Sequence, residues 1–411
     1  MKKEQNSQPK NVVLTIDMGG SKTKIAVQEL GSDEPSLLLM DSDLADIGKS
    51  SVDMAPTEGR NSERAWVGFK SDTEEYLYYA VGTLARNRFG GFQQLHELKY
   101  ELALPKILAA IWLARVELSL PSKFNLHLGV LLPSGEISDK DILKSRLIKL
   151  VTAFETPDGK MSIKIQTCSV YTEGSGIFAY RKNVLGEKFN DRRQLYVMLG
   201  FRNASGFAVT GGVTEPGITS NFGMHWMLDY LSTHVSGLDK NNPNVTETIV
   251  NSLQSPELLK KLSRKRKQQD IEADLRLITE AVASAFSEYV RAVVRWLKSI
   301  VGEFDEVVMC GGTAEYLRGE LDKYYGDEVE IVWHGGVVVP SEYESKLSSS
   351  RLADVWALHD VFYKLIAARL GVLASKSGSE VKGSDGAKVS SMSSRYVEVE
   401  RPAGFLPPII K

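Results

Sequence analysis

Asp17, Gly19, Gly20, Ser21, Lys22, Thr23 and Lys24 fall within one stretch, DMGGSKTK, set between two short apolar runs. The hydroxyls of Ser21 and Thr23, the two lysines and the backbone N–H groups could together surround an oxyanion such as phosphate. The paired glycines let the backbone take turn conformations closed to other residues. Asp17 cannot bind phosphate itself, but through water it could hold the Mg²⁺ that accompanies a nucleotide. The flanking runs 12–16 and 25–27 are short and rich in β-branched residues, so the whole reads as a β-hairpin. Taken alone, it serves equally as an ordinary surface hairpin.

Two later stretches invite comparison with it. LYVMLGFRNASGFAVTGG, beginning at Leu195, repeats the order strand, turn, strand, which suggests duplicated halves that each present a hairpin turn to a shared cleft. FDEVVMCGGTAEYL places Gly311 and Gly312 between a strand, 307–310, and a helix that opens at Thr313 and runs to 321. Glycines there let a flat ring lie against the backbone, or simply make a tight strand-to-helix turn.

Alternation and helical periodicity supply the elements that must position these loops. Strands are expected at 65–69, 76–81, 126–132, 163–170 and 195–199, with a short helix opening at 82–85. Residues 99–116 read as a helix with Ile107, Leu108, Ile111 and Trp112 on its core side, and 139–154 as an amphipathic helix. Residues 272–301 form the clearest helix, since apolar residues recur every three or four positions from Leu275 to Ile300. A last helix is expected at 351–370. The polar stretch 48–62 reads as an exposed loop. KKLSRKRK at 260–267 could contact a phosphate backbone or form a solvated helix face. From 374 to 411 the chain turns rich in Ser, Gly and Lys and is expected to be disordered, although its terminal PAGFLPPIIK could dock as a peptide.

Composition excludes several classes. With 411 residues the chain should form two or three compact units, and 43% hydrophobic with 25% charged residues is ordinary for a soluble globular protein. The 50 basic and 52 acidic residues leave a net charge of −2, so no global field draws it to nucleic acid or membrane. Two distant cysteines, Cys168 and Cys310, suggest neither a disulfide framework nor a cysteine metal site. MKKEQNSQPK makes no signal peptide, no apolar run is long enough to span a bilayer, and a cytoplasmic location follows. The glycosylation patterns at Asn203 and Asn244 are then chance matches.

In their order along the chain, the three loops resemble those of the actin-like ATPases, most closely the ParM/StbA branch of bacterial plasmid-segregation actins. DMGGSKTK looks like the family's first phosphate motif, LGFRNAS takes the place of the second, and CGGTAEYL looks like the adenosine motif. LLPSGEI and RLADVWALHDVF resemble the connecting segments. TEGSG resembles the stretch that carries an acidic residue over the γ-phosphate. The resemblance covers roughly residues 12–370.

The resemblance implies an α/β, two-lobed fold with duplicated sheet domains around a nucleotide cleft. Residues 11–165 would form one lobe, completed by 341–373, and 166–340 the other, between a disordered segment 1–10 and the tail 374–411. ATP or ADP with Mg²⁺ would be the cofactors. Asp17 would take the Mg²⁺-water role, Gly19, Gly20, Ser21, Lys22, Thr23 and Lys24 the β- and γ-phosphates, and Gly311, Gly312 and Thr313 the adenosine. Glu173 would orient or activate the attacking water, and with Asp17 would form the catalytic pair. In the second loop the family's aspartate is missing: Met198, Leu199, Gly200, Phe201 and Arg202 stand there instead. Gly200, Arg202 and Asn203 would then meet phosphate directly, and hydrolysis would be slow.

The implied activity is an ATPase that polymerises with itself into filaments to move or position DNA, through a DNA-binding adaptor and without sequence-specific DNA contact or membrane binding of its own. The superfamily also holds sugar kinases, whose opening DMGGSKTKIAV resembles, but the usual zinc cluster of that branch cannot be built from two isolated cysteines. A non-hydrolysing structural filament or adaptor is the third reading.

Overall fold

The computed structural model describes residues 9–93, 99–300, 302–326, 328–344 and 347–372. The segment 1–8 and the tail from 373, with the disorder and docking expected there, lie outside the described residues.

The strand Asn11–Met18 is buried along almost its whole length, so it must have neighbours on both edges and cover on both faces. It pairs antiparallel with Lys22–Glu29, which puts Asp17 opposite Lys24 and Met18 opposite Thr23. On its other edge it runs parallel to Asn125–Leu132, which in turn runs parallel to Lys164–Thr172. Ser36–Asp41 closes the far side of this five-stranded sheet.

A second sheet repeats the plan. Gln194–Leu199 pairs antiparallel with Ala204–Thr210 and parallel with Glu306–Cys310, which runs parallel to Glu330–Trp333. Each sheet is thus an antiparallel hairpin continued by parallel strands. The strand Lys164–Thr172 belongs to the first sheet, so that sheet extends beyond the lobe boundary expected at 165/166. A third, wholly antiparallel sheet, built around Trp66–Lys70 and Tyr76–Val81, sits beside the first.

The helix Lys99–Glu117 lies between the first and third sheets, and this explains why Ala109, Ala110, Leu113 and Ala114 are buried along with the expected Ile107, Leu108, Ile111 and Trp112. Enclosed on all sides, it has little polar face. The helix expected at 139–154 stops at Leu150, because Pro157 and Asp158 turn the chain into a hairpin that pairs Phe154 with Met161. The helix after Gly311 breaks at Leu317 into Gly312–Tyr316 and Arg318–Tyr325. The loop at 48–62 carries a one-turn helix, Lys49–Asp53, anchored by buried Val52. Gln268–Ser299 is a single helix whose buried face runs from Ile278 to Leu297. The basic run before it is exposed coil rather than a helix face over Arg264–Lys267.

Two helices carry the chain between the sheets. Ser175–Leu185 follows the first sheet but packs Ile177 and Phe178 with Tyr196, Phe207 and Val308 of the second. The closing helix, Ser349–Arg369, returns to the first sheet, where Leu358, Phe362 and Ile366 join Val13 and Leu131. They cross at Gly176, where a Cβ would stand 2.2 Å from the carbonyl oxygen of Asp354 and 2.5 Å from the Leu358 nitrogen. Only glycine permits that approach.

Candidate functional site

The parallel pairing sets Asp17 beside Leu131 and Leu131 beside Tyr171, about 10 Å from Asp17 at two strand spacings, and Glu173, two residues further on, leaves the same edge of the first sheet as Asp17. This carboxyl edge is where ligands of open α/β sheets bind. Glu173 is half-buried, and its N–H donates to the Leu132 carbonyl at 2.8 Å.

The lysines of the first loop are committed to carboxylates. Lys24 donates to Asp17 at 2.5 Å. Lys22 pairs with Asp41, which also accepts from Thr83 and Arg86; burial pushes that acid up, but these partners hold it below the usual carboxylate range. Thr23 is fully buried, so its hydroxyl is withdrawn from the loop surface. Ser21 accepts a hydrogen bond from the Arg351 guanidinium at 2.7 Å. A Cβ on Gly19 would lie 2.8 Å from the Lys22 carbonyl oxygen, which fixes the tightness of the turn.

The second and third loops touch. Gly311 takes φ +98°, and a Cβ there would lie 2.3 Å from the Leu199 carbonyl oxygen. Thr313 donates its hydroxyl to the Gly200 carbonyl at 2.9 Å. Asn203 is buried, and its carbonyl oxygen accepts the Gly200 N–H at 3.0 Å. Arg202, expected to face phosphate, pairs with buried Glu136 from the segment that follows the first sheet's strand Asn125–Leu132. Nearby, the Gly135 N–H donates to Thr219 Oγ1 at 3.3 Å, a second link from the first sheet's side to the second's. Gly312 lies against the stem of Arg351: a Cβ there would meet the Arg351 Cγ at 2.7 Å.

Two residues of this site were not singled out from the sequence, and both lie on the closing helix. Arg351 lies against both Ser21 and Gly312. Asp354 is buried and accepts backbone N–H groups from Gly174, Gly176 and Ile177 at 2.7, 2.9 and 3.3 Å, capping the first turn of Ser175–Leu185 from another helix. The detectable signal was an acid inside an apolar helical run, LADVWAL. Burial pushes Asp354 up to about 7, with Asp17 and Glu173 pushing the same way against the pull of the N–H groups. Folding therefore takes up a proton at Asp354 between its ordinary 3.8 and about 7. The raised native value means a stabilising contribution present at low pH and lost as pH rises through that window. Relative to Asp354→Asn, the parent should lose stability by at most about 1.4 kcal/mol per pH unit across it. Urea denaturation at pH 5 and pH 8 checks this, and an equal parent-to-variant difference at both would refute it.

An apolar cavity of about 300 Å³, lined by Phe69, Leu77, Tyr79, Leu102 and Leu104, shares no lining residue with the three loops. Among the described residues no helix is long and apolar enough to cross a membrane.

Two repeated sheets, joined by crossing helices and facing each other with a hairpin turn apiece, define an actin-like two-lobed fold. The version it is similar to is that of ParM. The similar structures include a 15-stranded ParM filament from Clostridium botulinum (TM-score 0.59, 15% identity, 86% of this chain and 99% of that one). They also include Bacillus thuringiensis ParM with AMPPNP (0.56, 12%, 86% and 99%) and an archaeal actin homolog in complex with ADP (0.53, 12%, 86% and 99%). No protein-family model matches the sequence, and no curated protein does.

Proposed function

We propose that this chain is a nucleotide-dependent filament protein: it binds ATP, polymerises with itself, hydrolyses the ATP, and serves in the cytoplasm to move or position DNA through an adaptor. The observation that carries the reading is the convergence of three glycine loops, with Gly311 against Leu199 and Arg351 against both Ser21 and Gly312. A ParM structure containing AMPPNP and an archaeal actin homolog containing ADP, both of this fold, support a nucleotide as the ligand. Gly19 to Lys22 with Lys24, Gly200 to Asn203 and Gly311 to Thr313 would line its site, with Thr23 behind the loop surface.

Among the described residues no group of three or more His, Cys, Asp or Glu could hold a metal. Asp17, the acid at the end of the first strand, would reach through water a Mg²⁺ carried in on phosphate oxygens. That ion would offset phosphate charge. Glu173 would accept a hydrogen bond from the attacking water and hold it in line. Lys24, Asp17's partner, would meet the phosphates.

Incubation of the purified chain with MgATP, MgADP or no nucleotide, followed by sedimentation, electron microscopy and phosphate assay, tests the reading. Filaments and phosphate release only with MgATP are expected. Phosphate release that requires an added sugar would favour the kinase reading, and no nucleotide dependence at all would overturn both.

A further inference from the structure

The cations assigned to phosphate from the sequence each already face a carboxylate: Lys22 with Asp41, Lys24 with Asp17, Arg202 with Glu136. Arg351 differs. A guanidinium carries five N–H donors, and among the described residues only Ser21 Oγ accepts from it. It forms no ion pair among them, although the charges of Asp17 and Glu247 act on it at longer range. Its stem lies against Gly312, its head reaches the first loop, and its backbone is fixed in the first turn of the closing helix. Arg351 is half-buried, and burial strengthens a hydrogen bond that its remaining donors make with an anion.

We infer that Arg351 is a phosphate ligand of the bound nucleotide, supplying between Ser21 and Gly312 a cation that comes from the closing helix and not from any of the three loops. This rests on the nucleotide reading above. The planar fork of arginine suits two phosphate oxygens at once, and a lysine there would offer only a point charge. The role also gives the second loop's missing aspartate a counterpart: a site with one fewer carboxylate and one more guanidinium holds phosphate more by direct charge and less through hydrated metal. Arg351 thereby ties nucleotide occupancy to the helix that crosses Ser175–Leu185 at Gly176.

Calorimetric titration with ADP and with adenosine, on the full chain and its Arg351→Ala, Arg351→Met and Arg351→Lys variants, tests the assignment. Arg351→Ala and Arg351→Met should weaken ADP binding by about ten- to hundredfold, the range for a lost hydrogen bond to a charged group. Adenosine, which lacks phosphate, should change by less than about threefold. Arg351→Lys should fall between. If Arg351→Ala does not fold by circular dichroism, the methionine and lysine variants carry the test. Parent-like ADP binding in the variants overturns the inference and leaves the nucleotide reading standing. Equal losses for ADP and adenosine also overturn it, since they mark a purely structural tether between the loops. A parent chain that binds neither ligand removes the nucleotide reading, and the inference with it.

Discussion

Replacing Glu173 with alanine should lower phosphate release from ATP by about a hundred- to ten-thousandfold, the range for loss of a positioned general base. ATP affinity and assembly should stay close to the parent's, so filaments accumulate. The argument is positional. Glu173 leaves the carboxyl edge of the first sheet beside Leu132, and the next residues are clamped by Asp354 through three backbone hydrogen bonds. A backbone anchored on both flanks fixes where the Glu173 side chain starts and helps to preorganise it to hold a water. Glu173→Gln, which keeps the shape and loses the charge, separates orientation from proton acceptance. Single-turnover phosphate release decides the matter, and a parent-like rate in Glu173→Ala would leave Glu173 a bystander.

Gly311→Val should be the most damaging single change among the loops. The native φ of +98° is strained for any residue with a Cβ and worse for a branched one, and the added carbon would lie 2.3 Å from the Leu199 carbonyl oxygen. Either the second loop retreats or the third one refolds. Destabilisation of about 3 kcal/mol or more is expected, together with loss of nucleotide binding. Gly319 supplies the control: it sits in Arg318–Tyr325, and a Cβ added there would meet no atom within 4 Å. Gly319→Ala should raise stability by about 0.5–1 kcal/mol, because alanine is the better helix former. A Gly311→Val protein that melts and binds like its parent would mean that the two loops are not constrained by this contact.

The sequence reading succeeded where information is local. The first hairpin, the second hairpin from Leu195 and the strand-to-helix turn at Gly311 all stand where alternation and glycine pairs put them, and their order sufficed for the actin-like resemblance. It failed where a side chain's partner is far away in the chain. Lys22 looks available within DMGGSKTK, but the partner that commits it, Asp41, lies on a neighbouring strand. Arg202 likewise meets Glu136 across 66 positions. Asp354 and Arg351 were read as parts of a connecting helix, because periodicity records which face is apolar and not which backbone N–H or hydroxyl that face will meet. The enclosed helix Lys99–Glu117 has a similar cause: the third sheet covering its second side is assembled from strands on either side of it in sequence.

The crossing at Gly176 concentrates the link between the two lobes at one point. Both passages of the chain between the sheets approach each other closely there, so any turn of one lobe on the other would have to keep this contact or break it. In such a turn, displacement would grow with distance from that point. Bulk added at Gly176 would therefore act on both passages at once rather than on any one of the three loops, because the added carbon would meet the backbone of the closing helix.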